Sequence, residues 1–120
     1  VTLIILQFNA TFPNLQTFPK AGVFHSSEIR LVFGTYAEGS KAPSPPEEVA
    51  LSEFIQGAWA RFAKDPWSGP GWTAVGNSPS GNDLGDIGSY GETGVRMIRA
   101  SDVDKRCGIY TPLYKKVAGL

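Results

Sequence analysis

One imidazole, His25, is the side chain in this 120-residue sequence whose ordinary pKa lies nearest neutrality. It sits in Gly22-Val23-Phe24-His25-Ser26-Ser27-Glu28-Ile29, between a loop and a predicted helix. A group there can take and return a proton at neutral pH, the work of a general base. A lone histidine is also commonly structural or solvated, and residue chemistry alone leaves both readings open. Ser26 and Ser27 read as helix caps rather than nucleophiles, because neither is presented on a strained elbow. Glu28, taken by itself, is an acid well placed for the positive end of the helix dipole. Cys107 is the only cysteine. One Cys with one His falls short of the three or four ligands of a zinc site, and no cofactor is expected.

The elements that must position His25 follow from periodicity and turn chemistry. Val1 to Leu6 is a β-branched run with apolar residues on both parities, the pattern of a strand buried on both faces at the centre of an α/β sheet. Such a strand needs neighbours and covering helices. The sequence is therefore read as the C-terminal part of a larger domain whose N-terminal part, with any signal peptide, lies outside it. A loop from Phe8 to Gly22 follows, carrying the Asn9-Ala10-Thr11 glycosylation sequon. A short helix is predicted from Ser26 or Ser27 to Phe33, stopped by Gly34. Residues 37–46 form a connector. Ser44 caps the clearest helix, with Pro45 and Pro46 in its first turn and Glu47 and Glu48 on its dipole. Leu51, Phe54, Ile55, Ala58, Trp59 and Phe62 make its apolar stripe, and Asp65-Pro66 closes it.

Residues 67–82 are a second connector, in which Trp67 and Trp72 are candidate anchors. Short strands are predicted over Asp83–Ile87 and Val95–Ile98, with Arg96 and Arg99 turned to solvent. Ser101 and Asp104 resemble a capping pair for a final helix that buries Val103, Cys107, Ile109 and Tyr110. The order of strand, helices, strand hairpin and helix is that of an α/β fold.

Composition narrows the partners. Lys and Arg total 11 and Asp and Glu total 11, a formal charge of zero that argues against nucleic acid or anionic membrane as partner. The 42% hydrophobic content is enough for a packed core despite 14 Gly and 9 Pro. No apolar run reaches the ~18 residues of a transmembrane helix.

The segment Gly22 to Gly34 resembles the catalytic-histidine segment of the type-B carboxylesterases, a cholinesterase-like α/β-hydrolase family that includes many fungal esterases and lipases. The shared pattern is Gly, variable, bulky, His, two small or variable residues, an acid, Ile or Leu, then apolar residues ending in Phe-Gly. The resemblance extends to Asn9-Ala10-Thr11-Phe12-Pro13, to Gln56 through Pro66 and to Arg106-Cys107-Gly108-Ile109-Tyr110. It implies that residues 1–120 are the C-terminal part of such a domain, comprising a central strand, a catalytic-His loop, C-terminal helices and a short strand hairpin. It implies a carboxylic ester hydrolase acting on small-molecule or lipid esters through a Ser–acid–His triad, with His25 as the last member in chain order. Glu28 would be a carboxylate supporting the histidine loop, and Phe24 would line the substrate pocket or pack in the core.

No Ser here has Gly at both positions two residues away, and no Gly-Gly-Gly loop occurs. The nucleophile and oxyanion hole are therefore expected outside this chain, and the chain alone is expected to be inactive. Arg30 and Lys20 depart from the family's commoner residues, which bears on substrate preference. The alternatives are a non-catalytic adhesion or binding protein on the same fold, or a truncated product without independent function. The sequon at Asn9 and the habit of the family point to secretion.

Overall fold

The computed structural model describes residues 3–40 and 42–119. Its sheet has three short strands, β1 (Ile5–Phe8), β2 (Leu84–Ile87) and β3 (Val95–Ile98), in the order β1-β2-β3. β1 and β2 are parallel, Ile5 opposite Leu84 and Phe8 opposite Ile87, so the chain must cross over between them. The 19-residue helix α2 (Pro46–Lys64) lies on that crossover. β2 and β3 form an antiparallel pair, Ile87 opposite Val95. The turn between them, including Gly88, Ser89 and Tyr90, is tight and left-handed at Gly88 and Tyr90.

The sequence places the doubly buried strand at Val1–Leu6, and the structure corrects this. Val1 and Thr2 lie outside the described residues. Ile5 and Leu6 are 39% and 36% exposed, because among the described residues β1 is an edge strand with one hydrogen-bonded neighbour. The central strand is β2, whose four residues are all buried. β3 falls where the sequence predicts it.

α2 carries the predicted stripe. Leu51, Ile55 and Ala58 are fully buried, Phe54 and Trp59 pack against them, and Phe62 lies at the exposed end. Together with Ala10, Leu31, Trp72 and Ile87 they make the core, joining the helix to the sheet. The N-cap position is taken by Pro45 rather than Ser44, whose hydroxyl instead accepts from Asn14 Nδ2 at 3.4 Å. Asp65 closes the helix as expected. Its carboxylate accepts from the Ser68 hydroxyl and from the backbone N–H groups of Ser68 and Trp67, which holds its carboxyl below the usual range.

The predicted helix at Ser26–Phe33 is a single turn, α1 (Ile29–Val32). Ser26 has φ 74°, a left-handed conformation incompatible with a helical cap, so the chain turns through His25–Glu28 before the helix begins. Residues 67–82 are more than a connector. Trp72 is 9% exposed, donates its indole N–H to Ile5 O at 3.3 Å and meets Trp59 in a tilted pair at 6.3 Å. Trp67 is 83% exposed and anchors nothing.

The last helical segment also departs from expectation. It comprises α3 (Ala100–Val103), a 3-10 turn at Asp104–Arg106 and α4 (Cys107–Ala118), with no side-chain cap from Ser101. Val103, Ile109 and Tyr110 are exposed and so is the Cys107 thiol, because among the described residues α4 packs closely only on the 3-10 turn before it. No helix of the described residues is long and apolar enough to cross a membrane.

Candidate active site

His25 is exposed on the turn that leads into α1. The chain reaches it from the carboxyl end of β1, the parallel-strand end at which open α/β sheets commonly carry their functional loops. Among the described residues the imidazole makes no hydrogen bond. The backbone around it is tied instead. Ser27 N–H bonds Phe24 O at 3.0 Å, and Ile29 N–H bonds Ser26 O at 3.2 Å.

Three sets of polar contacts brace this loop and α1, two of them from α2, and none is legible as a site contact in the sequence. Gln16 Nε2 donates to Gly22 O at 3.2 Å, gathering the loop before the histidine. Asn14 Nδ2 donates to both oxygens of the fully buried Glu48, at 3.0 and 2.8 Å. Ser52, also fully buried, donates its hydroxyl to Leu31 O at 2.7 Å and accepts from Gln56 Nε2 at 2.9 Å. A spacing signal exists: Glu48 and Ser52 fall on the same face as Leu51 and Ile55, three and four residues apart.

Ser52 sits where α2 grips α1, so Ser52→Ala is expected to cost about 1–2 kcal/mol by removing a buried hydroxyl shared by two partners. A urea unfolding midpoint unchanged from the parent would contradict that expectation.

A cavity of about 240 Å³ opens beside the turn, lined by Phe24, Ser26, Ser27, Asn14 and Arg30 among others. Phe24 is half-buried there. Ser27 Oγ and Asn14 Oδ1, both shielded from solvent, have no partner among the described residues. His25 is not part of the cavity's lining. Glu28, the residue before α1, is half-buried, and its carboxylate makes no hydrogen bond among the described residues.

Asn9 belongs to a second polar cluster, with Asp86, Ser89 and Arg96. Arg96 is not free in solvent as its sequence position suggests. It bonds the buried Asp86 carboxylate at 3.1 Å and lies over the Tyr90 ring at 5.0 Å. The hydrogen bond to Asp86 raises the pKa of its guanidinium. Among the described residues no group of three or more His, Cys, Asp or Glu is arranged to hold a metal ion.

Comparison with known proteins connects this segment to ester hydrolases. Over 74 residues, 62% of the chain, it is 38% identical to a chlorogenic acid esterase of Aspergillus niger. Over 80 residues, 64% of the chain, it is 34% identical to secreted lipase 5 of Gibberella zeae. The chain spans only 14–15% of the length of these curated relatives. No family model matches the chain, and no solved structure matches it.

Proposed function

We propose that this chain, a relative of a fungal esterase and a fungal lipase, is the C-terminal part of a carboxylesterase type-B domain and supplies its catalytic histidine. Similarity to two proteins named for ester hydrolysis supports hydrolysis of a carboxylic ester as the reaction. The observation that carries the role of His25 is its position: an exposed imidazole on a tied turn beyond the carboxyl end of a parallel strand.

In this reading a serine from the remainder of the domain attacks the ester carbonyl. His25 takes the serine proton, returns it to the departing alcohol, and then activates water to release the acid. A carboxylate, also from the remainder of the domain, holds the other ring nitrogen. Glu28 supports the histidine turn, and Phe24 faces the substrate pocket. The substrate is a small-molecule or lipid ester. The protein acts outside the cell, a reading supported by the name of the secreted lipase among its relatives.

The test is a chimera in which this chain replaces the matching segment of the Aspergillus niger esterase, assayed on a short-chain nitrophenyl ester beside the 120-residue chain alone. The chimera is expected to hydrolyse the ester and the chain alone to give no more than its own His25→Ala variant. A folded, inert chimera (native by circular dichroism) would refute the hydrolase reading. Activity of the chain alone that disappears with His25 would place a nucleophile within these 120 residues.

A further inference from the structure

We infer that the carboxamide of Asn9 is a fixed member of a part-buried hydrogen-bond clasp, and that the Asn9-Ala10-Thr11 sequon carries no glycan in the folded protein. Asn9 as a residue is exposed, and by exposure alone it would be an available acceptor of sugar. Its nitrogen is not. Nδ2 donates to Ser89 Oγ at 2.9 Å and to Asp86 Oδ1 at 3.4 Å. Both partners are 3% exposed. Ser89 in turn donates to Asp86 Oδ2 at 2.5 Å, and Arg96 Nη2 reaches the same oxygen at 3.1 Å.

The orientation of the amide follows from proton counting. The single hydroxyl proton of Ser89 is engaged with the carboxylate, so toward Asn9 the serine oxygen can only accept. An ionised Asp86 can only accept as well. A reversed amide would set its oxygen against two acceptors, so the nitrogen must face them. Asn9 N–H also bonds Ile87 O at 2.8 Å, which fixes the backbone from which the side chain reaches.

An N-linked sugar replaces one Nδ2 hydrogen with carbon. Along either direction an N–C bond of about 1.46 Å would leave roughly 1.4–2 Å between that carbon and the acceptor oxygen, against about 3.3 Å for a close C–H···O contact. Glycan and clasp therefore exclude one another. The clasp joins the end of β1 to β2, to the turn after it and to β3, so a chain that received a sugar on Asn9 before folding could not form it, and the folded state that holds the clasp carries no glycan there. This inference is independent of the hydrolase reading.

The test secretes the whole chain from a glycosylating yeast and measures intact mass before and after endoglycosidase, together with thermal unfolding midpoints. Pro79→Thr, which makes a sequon at the exposed Asn77, serves as the control that the host modifies this chain. The parent is expected to show no endoglycosidase-sensitive mass while the control does. Thr11→Ala, which removes the sequon and leaves the clasp, should match the parent midpoint. Asn9→Ala and Ser89→Ala should each lower it by about 5 °C, and the double variant by less than the sum. A glycan on Asn9 of the folded chain would overturn the inference, as would Thr11→Ala lowering the midpoint as far as Asn9→Ala. The mass comparison is made on the fraction that resists limited proteolysis, so that it reads folded chain.

Discussion

In the folded chimera, His25→Gln is expected to lower kcat on a nitrophenyl ester by about three orders of magnitude or more, with KM little changed. Glutamine keeps a polar side chain at the position but can neither take the serine proton nor protonate the departing alcohol. Acylation of the serine and hydrolysis of the acyl-enzyme both lose their proton carrier at once. What survives is the oxyanion hole and substrate binding, which accelerate the reaction far less by themselves.

The same substitution should leave stability unchanged. The imidazole is exposed and bonds nothing among the described residues, so its loss strands no buried partner. That separation is what makes the experiment decisive. A variant that retains near-parental turnover removes His25 from the triad, and one that unfolds would show that the turn depends on the ring for its structure.

The second large effect concerns the frame rather than the reacting group. Gly88→Ala is expected to destabilise the fold by about 3 kcal/mol, read as a lowered urea midpoint, or to prevent folding altogether. Gly88 has φ 77°, where a side chain costs about 1–2 kcal/mol. A Cβ there would also stand 2.5 Å from Ala10 Cβ and 2.9 Å from Leu51 Cδ2, with Ala10 Cα at 3.3 Å. Ala10 is 6% exposed and Leu51 is fully buried, so neither can move aside without opening the core, an overpacking cost of about 1–3 kcal/mol. Against a typical total of 5–15 kcal/mol this is a large fraction. The consequence reaches the site, because Ala10 starts the loop that carries His25 and Leu51 shares a core cluster with Leu31 of α1. An unchanged midpoint would mean that the turn after β2 yields more readily than its contacts imply.

α2 is legible in its own residues. Its apolar side chains return every three or four positions over the whole element, and its Pro-Pro-Glu-Glu start and Asp-Pro end are local signals. β3 is legible from its short run after a Gly-rich turn, and the setting of His25 in a loop before a short helix from the turn residues around it. The family resemblance of the histidine segment rests on residues close together in the chain.

What escapes the sequence is decided between segments far apart. Val1–Leu6 has the composition of a central strand, yet β2, made of Leu84-Gly85-Asp86-Ile87, occupies the centre because it pairs on both edges. Glu48 reads as a dipole acid on the first turn, and its inward facing becomes visible only when Asn14 arrives to meet it. The terminal helix has an apolar side by pattern, but burial requires a surface to pack on, and among the described residues close packing is found only at the 3-10 turn before it.

Asn9 shows the division most sharply. As a triplet it is a sequon; as a nitrogen it is held by Asp86 and Ser89, 77 and 80 residues away. Local patterns specify helices, strands and the chemistry a residue can offer, because those depend on neighbours within a few positions. Which atoms are engaged, and which remain free to act, depends on contacts that only chain crossover and strand pairing bring together.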